Sequence, residues 1–149
     1  MDLTGWNPQI VVVGIDGSTQ SRHAAAMAAS LARARDAKLH LITVVRPPEG
    51  WWGIVGSPPT PTALSKTLTD AQREILDTAI AEIDLSDVEY DTVEEVGDPA
   101  RMLIEYCESV NADLLVVGKR GAGLLERIVL GSVANRVAND APCPVLLVP

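Results

Sequence analysis

Short apolar runs recur along the chain and predict the strands of a sheet. Residues 10–15, IVVVGI, contain no charged or amide side chain, and residues 39–45, 114–117 and Val145–Val148 are similarly apolar. Runs of this length that are rich in β-branched residues are typical of strands covered on both faces, so they indicate a parallel sheet. Residues 88–92, VEYDT, alternate in polarity and predict a fifth, more exposed strand.

The segments between these runs have helical character. The first is rich in alanine without glycine or proline, and the second places apolar side chains on one face at helical spacing. Ser18 or Thr19 is expected to cap the first helix, and Asp98 followed by Pro99 marks the start of the third. The predicted helices are residues 20–35, 69–83, 99–110 and 132–139.

The alternation of strands and helices predicts one α/β domain over residues 1–149, with a five-stranded parallel sheet and helices on both faces. Residues 46–67 interrupt the alternation because they hold half of the chain's 10 prolines. They predict a long loop that acts as a lid or is mobile. Trp51 and Trp52 lie in it and are expected either to fold back onto the domain or to form part of a lid or partner surface.

Composition narrows the class of function. Aromatic residues make up 3% of the chain and phenylalanine is absent, so the core must be aliphatic. The net charge of −8 argues against binding to nucleic acid or to an acidic membrane, although backbone N–H groups can still hold a phosphate.

Cys107 and Cys143 form no ligand-like cluster and are expected to be reduced thiols. No leader and no apolar run of ~18 residues is evident, which predicts a cytoplasmic protein.

Ligands of parallel sheets bind beyond the carboxyl ends of the strands. Three loops leave that edge here, starting near residues 16, 46 and 118. Two common phosphate motifs are absent from them. No stretch fits the P-loop, and Glu126 stands where the dinucleotide pattern that begins at Gly121 needs its third glycine.

A different glycine pattern follows the fourth predicted strand. It consists of Gly118, two residues, Gly121, nine residues and then Gly131-Ser132. In this pattern the chain resembles the universal stress protein family, specifically its ATP-binding branch, and the resemblance covers nearly the whole chain. It implies an adenine-nucleotide α-hydrolase-like fold with strand order 3-2-1-4-5. It also implies bound ATP, with Mg²⁺ or Mn²⁺ on its phosphates, and a homodimer through the edge strand Val145–Val148.

The resemblance also assigns roles to individual residues. The resemblance implies that Asp16 lies near the adenosine end or the metal and that Val44 touches adenine through its backbone. Glycines allow close backbone approach, and the N–H groups at the start of the last helix favour an anion. The alternatives are that Asp16 only shapes a turn, and that Lys119 and Arg120 are solvated loop charges; Arg120 is preferred as the ligand. The predicted nucleotide-binding residues are Gly14, Ile15, Asp16, Val44, Gly118, Arg120, Gly121, Gly131, Ser132 and Val133.

Three functions are compatible with the sequence. The preferred one is a regulatory, stress-responsive dimer that binds ATP, with AMP or cyclic AMP as alternative ligands and a further protein partner of unknown identity. The second is a slow ATP hydrolase, and the third is a stress scaffold without nucleotide. Neither His23 nor His40 belongs to a catalytic pattern, so no catalytic residue is predicted and at most a weak ATPase activity is expected.

Overall fold

The computed structural model describes residues 3–46, 61–120 and 130–149, and for residues 61–69 the backbone alone. Strands and helices alternate along the described residues. The five strands are β1 Ile10–Gly14, β2 Lys38–Val45, β3 Tyr90–Val96, β4 Leu114–Gly118 and β5 Val145–Val148. The helices within the described residues are α1 Thr19–Arg35, α2 Pro61–Glu82, α3 Pro99–Val110 and α4 Ser132–Asp140.

The five strands form one parallel sheet in the order β3-β2-β1-β4-β5, which confirms the predicted fold class and strand order. Strand β1 lies at the centre, where Val12 pairs with His40 on one side and Leu115 on the other. Val12 and Leu115 are fully buried, as expected for strands covered on both faces.

Two apolar layers cover the sheet. Helices α1 and α2 pack on one face, where alanines of α1 such as Ala24 and Ala28 are fully buried and let the helix approach the strands closely. Helices α3 and α4 pack on the other face through Leu103, Cys107 and Val137. None of the helices in the described parts of the chain is long and apolar enough to cross a bilayer.

The predicted capping residues start their helices. Ser18 Oγ accepts a hydrogen bond from the Ser21 N–H at 3.1 Å at the start of α1. Asp98 Oδ2 accepts from the Arg101 N–H at 3.0 Å at the start of α3. Each bond satisfies one of the free N–H groups of a first turn, so the loop sequences position these helices locally.

Two elements differ from the sequence expectation. Residues 61–67, expected in the long loop, belong to α2, which begins at Pro61. Proline suits this position because its fixed φ is helical and the N–H that it lacks would have no partner within the helix. Strand β3 continues to Val96, beyond the predicted 88–92, because it pairs with β2 as far as Val45. Residues 47–60, including Trp51 and Trp52, lie outside the described residues.

A buried amide joins α2 to the sheet. Gln72 is 2% exposed, and its Nε2 donates to the backbone oxygens of Thr43 on β2 and Glu95 on β3. A buried amide is tolerated when its polar atoms are hydrogen-bonded, and these two bonds satisfy the N–H₂ group of Gln72. Gln72 therefore fixes α2 beside the carboxyl ends of β2 and β3.

Candidate nucleotide site

A cavity of about 270 Å³ lies at the carboxyl edge of the sheet. It opens where strand order reverses between β1 and β4, which is where parallel sheets bind ligands. Nine of the ten predicted site residues line it, and Gly121 lies outside the described residues. The nine are Gly14, Ile15, Asp16, Val44, Gly118, Arg120, Gly131, Ser132 and Val133.

The end of β1 forms one side of the cavity. Ile15 is 3% exposed and its N–H donates to the Ile42 oxygen at 2.8 Å, so the strand direction continues past Gly14. Asp16 then turns the chain, with its Oδ1 accepting from the Ser18 N–H at 2.9 Å. Asp16 thus has a structural role in the turn and also lines the cavity. The turn reading is supported by this hydrogen bond, and a contact of Asp16 with the ligand stays a prediction.

Gly118 ends β4 directly against the start of α1. A Cβ built on Gly118 would lie 2.8 Å from Gln20 Cβ and 3.1 Å from the Ser21 backbone nitrogen. Real side chains do not pack this closely, so only glycine fits here. The first glycine of the motif is therefore required by helix packing, whatever the ligand is.

The start of α4 forms the opposite side. Gly131 is the N-cap residue and its N–H donates to the Lys119 oxygen at 2.9 Å, which joins the two described ends of the glycine-rich segment. Gly131 has no side chain with which to cap this helix. Ser132, Val133 and Ala134 of its first turn all line the cavity. An uncapped first turn with the positive end of the helix dipole is suited to an anion.

Two arginines add positive charge to the cavity wall. Arg120 was predicted from the motif, whereas Arg46 was not. The Arg46 guanidinium lies 3.2 Å from Asp98 Oδ1, and Arg136 of α4 donates to Asp98 Oδ2 at 2.9 Å. Asp98 therefore connects the end of β2, the start of α3 and the body of α4 around the cavity.

Apolar side chains form the remaining wall. Sequence reasoning identified Ile15 and Val44 but missed seven other residues that line the cavity. The glycine motif carries no information about α3 or about earlier positions in the strands. Arg46 was detectable as the first residue after β2 at the same edge. The lining residues that were missed are Ser21, Ile42, Arg46, Pro99, Leu103, Val117 and Ala134.

The chemistry of the cavity is divided between its walls. Ile42, Val44 and Leu103 offer a surface for a flat, weakly polar group. The α4 terminus with Arg120 offers N–H donors and positive charge for an anion. In residues 3–46, 61–120 and 130–149 no cluster of three or more His, Cys, Asp or Glu side chains could hold a metal ion.

Comparison with known proteins identifies the family. A family model described as the universal stress protein family matches residues 8–149. The chain belongs to the universal stress protein family. A universal stress protein of Methanocaldococcus jannaschii is 36% identical over 145 residues, covering 93% of this chain and 80% of that protein. The family predicted from the glycine pattern is thereby confirmed.

Solved structures of this family share the fold. A universal stress protein in complex with cAMP is 33% identical, covers 96% of this chain and 98% of its own, and gives a TM-score of 0.65. The universal stress protein of Archaeoglobus fulgidus in complex with dAMP is 22% identical, covers 95% and 98%, and gives 0.68. At 22% identity, the second comparison shows only that the fold is shared.

Proposed function

We propose that this universal stress protein binds an adenine nucleotide in the cavity at the carboxyl edge of its sheet, with ATP as the ligand, and acts as a regulatory protein. One observation carries the proposal. Residues predicted from three separate parts of the sequence line a single cavity with an apolar wall and an anion-attracting end. The relative bound to cAMP, which is 33% identical, supports the choice of an adenine nucleotide.

The two ends of the cavity suggest an orientation for the ligand. The base would lie against Ile15 and Val44, and the phosphates would approach Gly118, Ser132 and Arg120. First-turn N–H groups and a guanidinium are favourable partners for phosphate oxygens. A Mg²⁺ or Mn²⁺ ion would be held chiefly by those phosphates, because divalent ions that are coordinated by nucleotide phosphates need few ligands from the protein.

A panel of ligands tests the proposal. Calorimetric titration of the purified protein with ATP, AMP and cyclic AMP, each with and without Mg²⁺, compares the candidates directly. ATP is expected to bind most tightly, and Mg²⁺ is expected to improve its affinity. Tighter binding of AMP or cyclic AMP would keep the adenine site and correct the ligand. Failure of all three to bind would contradict the proposal and favour a scaffold without nucleotide.

The proposal includes a homodimer in the cytoplasm. Strand β5 lies at the edge of the sheet, and Val145, Leu146 and Leu147 are only half-buried. An exposed apolar edge favours pairing with a second copy of the chain. Sedimentation velocity at micromolar concentration is expected to give a dimer, and a monomer there would contradict this part of the proposal.

A further inference from the structure

Arg46 lines the cavity but has no role in the proposed function. It follows directly after β2, and 61% of its side chain is exposed, so it lies at the mouth of the cavity. Side chains alternate between the two faces of a strand, so Ile42, Val44 and Arg46 form a row on one face of the sheet. Ile42 and Val44 pack in the apolar layer beneath α3 and α4, which places Arg46 at the outer end of this row.

Asp98 holds the Arg46 side chain across the apolar part of the cavity. Arg46 Nη2 donates to Asp98 Oδ1 at 3.2 Å. Asp98 starts α3, whose residues Pro99 and Leu103 also line the cavity. The same carboxylate accepts a hydrogen bond from Arg136 of α4 at 2.9 Å, which helps to fix its position. The Arg46 guanidinium therefore reaches from the end of β2 to the start of α3.

The guanidinium supplies a flat surface that the rest of the cavity wall lacks. None of the described residues that line the cavity has an aromatic side chain, in keeping with the 3% aromatic content of the chain. A guanidinium is planar and stacks on aromatic rings, which its charge also attracts. Its N–H groups donate within its plane, so the hydrogen bond from Arg46 to Asp98 leaves the faces of the group available for stacking.

Arg46 belongs to the base end of the cavity and not to the phosphate end. The proposed phosphate site lies at the start of α4 and near Arg120, both of which follow β4. Strand β1 separates β2 from β4, and neighbouring strands are ~4.8 Å apart, so the ends of β2 and β4 lie about 10 Å apart. Arg46 shares its end of the cavity with Ile42 and Val44, the apolar residues of β2.

We propose that Arg46 recognises the base of the bound nucleotide by stacking its guanidinium on one face of adenine, and that Asp98 positions it there. The other face of adenine lies against Val44 and Leu103 of the apolar wall. This inference rests on the proposed function, because it concerns the ligand of the same cavity. It adds a base-recognising residue that lies outside the glycine pattern.

Removal of the guanidinium tests the proposal. Adenosine, AMP and ATP share the base and differ in their phosphates. They are titrated calorimetrically into the wild-type protein and Arg46→Met, with displacement titrations where binding is weak. All three ligands are expected to lose affinity by the same factor, about threefold to tenfold, because the lost contact is with the base alone.

Arg73→Met is the matched control. Arg73 lies on α2, is 67% exposed and pairs with Glu94 at 3.9 Å, so it resembles Arg46 in exposure and in having a carboxylate partner. It is not among the residues that line the cavity. This variant should bind all three ligands as the wild type does, and a loss equal to that of Arg46→Met would overturn the proposal.

Two further results would overturn the proposal and leave the nucleotide site in place. Unchanged affinity of Arg46→Met for all three ligands would show that Arg46 does not contact the ligand. A loss that occurs with ATP and is absent with adenosine would assign Arg46 to the phosphates. Failure of the wild-type protein to bind any of the three ligands would overturn the proposed function and this inference with it.

A double variant tests the positioning role of Asp98. Asp98→Asn retains a capping oxygen but weakens the charge-assisted hydrogen bond to Arg46, so it should lower the affinity for adenosine. In the Arg46→Met background the same change should have no further effect, because Asp98 acts on the base only through Arg46. Equal losses in the two backgrounds would overturn this role, since a general structural effect would not depend on Arg46.

Discussion

At the scale of single residues, Gly118 shows how a binding motif and a packing requirement coincide. A methyl group at this position would overlap the first turn of α1, with Gln20 Cβ only 2.8 Å away. Gly118→Ala is therefore expected to destabilise the protein by about 1–3 kcal/mol, the usual cost of overpacking. Thermal unfolding measures this effect without any ligand.

Gly14→Ala provides the matched control for that change. Its new Cβ would lie 3.4 Å from the flexible Leu103 side chain, which is close to ordinary contact. The control should lose clearly less stability than Gly118→Ala. Equal melting temperatures for the two variants would show that the close approach of α1 to Gly118 is absent in solution.

His40 is a residue whose protonation opposes folding. It is buried, with its Nδ1 hydrogen-bonded to Tyr106 Oη at 2.6 Å, and its Nε2 has no partner among the described residues. Burial, and then the charge of Lys38, lower the pKa of His40 below 6.5, while Asp91 and Glu89 partly oppose this effect. The folded protein therefore binds this proton less readily than the unfolded chain does.

The lowered pKa of His40 makes the folded protein less stable at acidic pH. The unfolded chain takes up the proton first, so stability is full above about pH 6.5 and is lost as the pH falls toward the lower folded pKa of His40. The melting temperature should fall between pH 7 and 5. His40→Gln should weaken this fall, whereas His23→Gln on the surface of α1 should keep it. An identical pH profile for wild type and His40→Gln would refute the assignment.

At the scale of elements, the start of α3 depends on one carboxylate. Asp98 caps the helix through the Arg101 N–H and accepts from Arg46 and Arg136. Asp98→Ala should cost about 1–2 kcal/mol, mostly through the lost cap, because partly exposed ion pairs contribute little. Asp98→Asn retains a capping oxygen and should lose less. Denaturant unfolding of both variants checks the difference, and a greater loss for Asn would contradict it.

Local signals predict the elements themselves but not all of their limits. Alanine content, the Asp98-Pro99 pair and the apolar runs suffice for α1, α3 and the buried strands. The start of α2 was not predictable, because Pro61 follows a proline-rich segment and proline is compatible with both a loop and a helix start. The end of β3 depends on pairing with β2, which is information that its own residues do not contain.

At the scale of the whole molecule, alternating elements and the glycine pattern predict the topology and bring the predicted residues to one edge. What remains hidden in the sequence are contacts between distant segments. Leu103 lies in the cavity because α3 packs over β1, and Gln72 reaches the ends of β2 and β3 because α2 packs against those strands. No spacing rule along the chain reveals either contact.

The measurement that tests the central claim most directly is calorimetric titration of ATP with Mg²⁺ into Gly131→Val and its control. The added side chain would stand at the N-cap of α4, where the cavity wall meets the proposed phosphates. Ala138→Val places the same residue at an exposed position of the same helix. Circular dichroism establishes that both variants fold.

The account predicts that Gly131→Val weakens ATP binding by at least about tenfold, equivalent to ~1.4 kcal/mol, while Ala138→Val binds as the wild type does. Wild-type affinity for ATP in folded Gly131→Val would contradict the account, because the phosphates would then lie away from the start of α4.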